Sequence, residues 1–242
     1  MTISAPTILA HLQAVEAERR TRESARGLNE RVVQIKAYQQ RRFSHTYADL
    51  LQSRRYGAAS RFFLDELYGP SDFSRRDAQF ARVVPALVRL FPSDIVDTVA
   101  TLAQLHALSE TLDTQMGQQA GGPPEMTASV YVRAWQLTGR RDAREQQISL
   151  TLDIAARLDR FTRKPLLRNS LRLMRGPARA AGLGELQSFL EAGFDTFRAM
   201  DGAQEFIAMV MEREHALASA LFEATMDAPG SASSARALAC LP

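Results

Sequence analysis

Three polar residues that fall on apolar helix faces, Glu66, His106 and Glu214, have the most chemistry to offer in this sequence. Glu214 lies within a stripe formed at helical spacing by Phe206, Val210, Leu217 and Leu221, and Glu66 within another formed by Ala59, Phe62, Phe63 and Leu67. A buried ionised carboxylate is costly unless it is paired and hydrogen-bonded. Each therefore meets an Arg in the core, sits where the helix end re-emerges into water, or lines a polar pocket that takes a cation or a basic ligand. Two carboxylates can also divide acid and base work where their surroundings separate their pKa values, although no spacing here demands it. His106 follows Ile95, Val99 and Leu102 at helical spacing and so points inward. A lone inward His on a helix is more often a hydrogen-bonded core residue than a ligand to a cofactor.

The other motifs fall short of a reactive site. Glu212 and His215 form a Glu-x-x-His pair, half of the set that holds two metals in carboxylate-bridged helical bundles. No second pair occurs, and Glu212 falls on the side opposite the apolar stripe, so no metal is expected. The string 102–106 (LAQLH) is similar to the proximal helix of globins, but no distal pattern accompanies it, and no cofactor is expected. No catalytic residue stands out: Gly-x-Ser-x-Gly, Walker and Gly-x-Gly-x-x-Gly loops are all absent.

A second group of residues concerns binding. Between 160 and 184 the chain carries seven basic residues and no acidic one. Lys164, Arg168, Arg172, Arg175 and Arg179 follow one another in steps of four, four, three and four. At about 100° per residue the first four form a narrow stripe, with Leu166, Leu167, Leu171, Leu173 and Met174 opposite. Something anionic lies against this face, either another part of the chain or a partner such as an acidic protein. Charge segregation favours the first: 19–61 carries a net +8, 160–184 a net +7 and 185–227 a net −7. With few base-reading side chains near the stripe, no sequence-specific nucleic-acid binding is expected.

The whole chain bounds these readings. Its 242 residues can bury a full core, and 45% hydrophobic with 24% charged residues is ordinary for a soluble protein. Of 30 basic residues only Lys36 and Lys164 are lysines, a bias that a GC-rich genome produces without functional cause. The one cysteine, Cys240, permits neither an internal disulfide nor a cysteine metal site. No secretory signal and no membrane span is read, so a cytoplasmic setting is expected.

Periodicity is helical almost throughout: helices are expected at about 7–25, 29–51, 56–68, 74–90, 94–116, 127–139, 141–161, 165–175, 184–200 and 203–225. Gly27 and the Gly69-Pro70 pair read as stops, Ser74 and Thr127 as N-caps, and Pro85 as a kink or restart. The expected fold is all-α, about nine helices in one globular domain over 1–226. Its halves, 1–116 and 127–226, are joined by a loop at 117–126, and 227–242 reads as a disordered tail.

Within 61–92, Phe62-Phe63-Leu64, Glu66-Leu67-Tyr68-Gly69, Asp72-Phe73, Arg76-Asp77 and the frame of Arg82, Pro85 and Pro92 stand out. With Ala181-Gly182-Leu183-Gly184-Glu185-Leu186-Gln187 and Phe189-Leu190-Glu191, they resemble the core of an uncharacterised family of bacterial all-helical proteins. The resemblance implies an all-α fold and carries no activity or site residue. The leading expectation is thus a non-catalytic cytoplasmic interaction or regulatory protein, with an acidic protein or a second copy as partner. The alternative is a small-molecule, metal or haem-binding helical protein, an enzyme among its forms, built around Glu66, His106 and Glu214. A nonspecific nucleic-acid binder is the third reading.

Overall fold

A computed structural model describes residues 4–66, 70–121, 125–225 and 232–242, which are helical almost throughout and contain no strand. α1 (Ala5–Ser24) ends just before Gly27, whose φ of 74° suits a residue without a Cβ, and α2 (Leu28–Thr46) starts directly after it. α3 (Ala48–Gln52) and α4 (Gly57–Glu66) follow. α5 (Ser74–Leu90) continues through Pro85, so the expected restart does not occur there; its N-cap position is Phe73 rather than the expected Ser74, whose N–H donates to the Asp72 carboxylate at 2.9 Å. α6 (Ser93–Gln119) leads to a loop, and α7 (Ala128–Thr138) is capped as expected by Thr127, whose hydroxyl accepts from the Val130 N–H at 3.4 Å. α8 (Arg141–Thr162), α9 (Pro165–Leu173), α10 (Arg175–Ala180), α11 (Gly184–Ala199), α12 (Gln204–Glu223) and α13 (Ala232–Ala239) complete the order.

There are more helices than the nine or so expected. The chain turns at Tyr47 to separate α2 from α3, and Pro177, which has no N–H to extend the ladder of α9, resets the helix as α10. The stop at Gly69, with Leu67 and Tyr68, lies outside the described residues, as do 122–124 of the expected loop, residue 226 and 227–231 of the expected tail.

α6 is the hub, packed against α1, α2, α5, α7 and α8. One core cluster joins α2, α6, α7, α12 and α13 through Ile35, Met116, Val132, Leu217 and Leu221. A second joins α2, α4, α8, α11 and α12 through Phe43, Phe63, Ala155, Phe197 and Phe206. A third joins α1, α5 and α6. α2 approaches α6 so closely at Gly117 that a Cβ there would lie 2.7 Å from Val32 Cγ2.

A buried charge network sits in the hub. Arg22 of α1 and Lys36 of α2 each donate to the Glu110 carboxylate of α6 at 2.5 Å. Arg22 also donates to the Glu110 carbonyl at 2.9 Å and to the Thr114 hydroxyl at 2.8 Å. Burial pushes the Glu110 carboxyl up, but the charges of Lys36 and Arg22 outweigh it and hold its pKa at about 2.

The expected loose tail is corrected by α13. Its sequence spaces Ala237 and Leu241 four apart, and both are buried in the cluster that contains Trp135 and Leu221. The Ser234 hydroxyl donates to the Thr225 carbonyl at 2.6 Å, fixing the start of the helix to the end of α12.

Three outcomes follow from this packing. Glu110→Gln strands two buried cations and should cost about 3–5 kcal/mol in urea unfolding; a loss near zero would remove the network from the account of stability. In the parent protein the unfolded chain takes up a proton near the ordinary carboxyl pKa while folded Glu110 resists until about pH 2, so its contribution should vanish as pH falls through that interval. Truncation before Asp227 should lower the Tm by roughly 5–10 °C, because the buried Leu241 and Ala237 leave the core. An unchanged Tm would show that α13 does not dock.

Candidate functional site

Several apolar side chains that face inward are only half buried, including Leu102, Leu105, Ile148, Leu152 and Val210. They line a cavity of about 230 Å³ at the centre of the bundle. Its α6 lining runs from Val99 to Asp113, roughly 21 Å of helix at 1.5 Å per residue, so the space is a slot rather than a sphere. α2, α5, α7, α8, α11 and α12 supply the other walls.

One end of the slot is polar. Arg42 Nη1 donates to Glu214 Oε1 at 2.6 Å, and the Tyr47 hydroxyl donates to the same oxygen at 2.7 Å. Gln39 donates to Asp113 at 2.9 Å. Arg144 lies 4.0 Å from the centroid of the Trp135 ring and donates to Gln147 at 3.0 Å, and Gln147 in turn donates to the Ser109 hydroxyl at 2.8 Å. The Trp135 indole N–H, buried, has no hydrogen-bond partner among the described residues. Burial raises the pKa of Asp113 against the pull of Lys36, and burial likewise raises that of the Tyr131 phenol, which stands in the field of Arg42, Arg144, Asp113 and Glu214. At this end of the slot Lys36, Arg42 and Arg144 thus face Glu110, Asp113 and Glu214, with Arg22 behind Glu110, and burial draws the Asp113 carboxyl towards its neutral form.

His106 lies further along the same wall, with Nε2 2.9 Å from Asp77 Oδ2. Burial pushes the Asp77 carboxyl up, yet His106 and Arg19, both bonded to it, outweigh burial and keep its pKa low. An ionised Asp77 only accepts, so His106 Nε2 is the donor.

Two of the three inward polar residues singled out in the sequence therefore reach the cavity. Glu66 does not. It ends α4 with its side chain 40% exposed and accepts from Arg76 Nη1 at 3.2 Å, so its place among the pocket residues is corrected: one turn past the aromatic pair Phe62 and Phe63, the helix has already emerged into water. Arg76 itself lines the cavity. His215 of the Glu-x-x-His pair reaches Glu145 at 2.8 Å near the surface, and no group of three His, Cys, Asp or Glu that could hold a metal occurs among the described residues.

Arg42, Asp113, Tyr131 and Arg144 were not singled out. Arg42 had a legible signal, since it follows Ile35 and Tyr38 at inward spacing in α2. Asp113 and Arg144 had none, being polar residues in stretches whose periodicity reads equally well with them outside.

The basic stripe is latched largely onto the chain itself. Lys164 donates to Asp94 at 3.1 Å, Arg168 to Asp195 at 2.8 Å, and Arg175 to Glu191 at 2.7 Å. Arg172 and Arg179 are exposed and form no salt bridge among the described residues. The side of α9 opposite the latches carries Leu166, 79% exposed, and Leu173, 78% exposed, with Met174 beside them. The charged face is turned to the protein and part of the apolar face to water.

No helix among the described residues is long and apolar enough to cross a membrane. No curated protein and no solved structure matches the chain. A family model does match, over residues 18–228, from the last turns of α1 to just beyond α12, and its description assigns no activity. The chain belongs to the family described as a domain of unknown function, DUF8198.

Proposed function

We propose that this protein binds a small, extended apolar molecule with an anionic head, taken into the slot at the centre of the bundle. The single observation that carries this reading is the shape and lining of that slot, apolar along much of its length with Lys36, Arg42 and Arg144 gathered at one end. An engineered apolar cavity of about 150 Å³ accepts benzene, so about 230 Å³ leaves room for roughly ten non-hydrogen atoms. The half-buried Leu105, Ile148, Leu152 and Val210 are the walls for an alkyl or aryl body. Burying it there removes apolar surface from water on both partners.

The head belongs at the polar end. Guanidinium and ammonium groups gathered beside a carboxyl that burial draws towards its neutral form favour a further anion, and a ligand carboxylate supplies one. Arg144 is held flat by Trp135 and Gln147, so little side-chain freedom is lost when it meets a carboxylate. The Trp135 indole N–H is a further donor of the right kind. The reading is of binding; it assigns no bond-making step.

Trp135, the sole tryptophan, reports on its own site. Octanoate and decanoate should change its fluorescence saturably, with octan-1-ol weaker and octylamine weakest. Arg144→Met should weaken octanoate by about tenfold or more while leaving octan-1-ol nearly unchanged, since only the charged head loses a partner. Equal affinity for acid and amine would reverse the assignment of the head. No saturable response to any of the three would remove the ligand-binding reading.

A further inference from the structure

We infer that the outer face of α9 docks on an anionic lipid surface. This inference is independent of the slot, because it rests on residues that do not line it. Leu166 and Leu173 stand seven residues apart, about 10 Å along one line of the helix, and both project into water. The ionic latches to Asp94, Asp195 and Glu191 fix α9 in this orientation. They also bring the α5–α6 corner to its start: Asp94, which holds Lys164, follows closely after Leu90 and Phe91, 68% and 48% exposed.

Charge selects the occupant. Arg172 in α9 and Arg179 in α10 are exposed without a salt bridge among the described residues, and no acidic residue occurs between 160 and 184. A second copy packed by a two-fold axis would set the same cations against each other. A protein partner fits less well, since the leucines stand out singly from a convex helix. A bilayer with anionic headgroups satisfies both halves of the surface: leucines enter the acyl boundary while guanidinium groups meet phosphates.

The test is flotation of the full chain with vesicles of phosphatidylcholine alone and of phosphatidylcholine mixed with phosphatidylglycerol. The parent protein should float with the mixed vesicles, and less so as salt rises. Replacing Leu166 and Leu173 together by Glu should weaken that binding by about tenfold or more. Replacing Arg172 and Arg179 together by Glu should remove the preference for the anionic vesicles. All four side chains are exposed, and unchanged circular dichroism with an unchanged Tm checks that each variant folds. Failure to float with either vesicle overturns the inference, as does a Leu variant that floats as well as the parent. Equal flotation with both vesicles overturns the part assigned to the cations. A dimer in sedimentation that the Leu variant abolishes, without lipid binding, would assign the face to a second copy instead.

Discussion

The carboxylate of Glu110 is the point on which the arrangement of helices depends. It is buried in the hub helix and holds one cation from α1 and one from α2, so three elements that are distant in sequence share a single charge. An unpaired ion at that depth would be prohibitive, and the requirement that all three meet selects one rotation of each helix about its axis. Hydrophobic burial alone would tolerate several such rotations. The network therefore contributes more to uniqueness than to the sum of attractions, and it leaves the polar end of the slot beside it with its charges already oriented.

How much of this was legible in the sequence differs by residue. The helices were, because Ala, Leu, Arg and Glu at a period near 3.6 leave little alternative, and Thr127 and Gly139 bracket α7 as their chemistry suggests. His106 and Glu214 were legible as inward residues because each interrupts an otherwise apolar stripe. Glu66 obeyed the same rule and failed it, since periodicity fixes an angle around the helix and says nothing about where along the axis the core ends. The helix at 232–239 was missed because small residues that read as a loose tail can also fit closely under a neighbour: Ala237 is buried without a long side chain. The cavity itself left no trace in the sequence, since an empty volume is a property of several helices at once.

The direction of α9 shows a related limit. Its amphipathic pattern predicts two faces and is silent on which one meets the protein. Burial usually decides, but here the acids of α11 and the start of α6 were placed to receive the cations, and the electrostatic match won. The family relation extends over nearly all of this architecture without attaching an activity to it. The slot and the outward leucines are the features from which a role can be argued, one taking up an amphiphile and the other meeting the kind of surface where amphiphiles are found.

The close approach at Gly117 makes the two sides of the slot mechanically unequal. Along the seam of α2 and α6, backbone nearly touches side chain and two buried charges bridge the gap, so separation there would break the hub. The wall formed by α5 and α11 is held to its neighbours partly by links that water already reaches, such as Arg75 to Glu185 and Arg82 to the Ala181 carbonyl. Exposed links of this kind open at small cost and weaken with ionic strength. The seam of α2 and α6 is thus the costlier of the two to part, and that of α5 and α11 the one whose strength varies with salt.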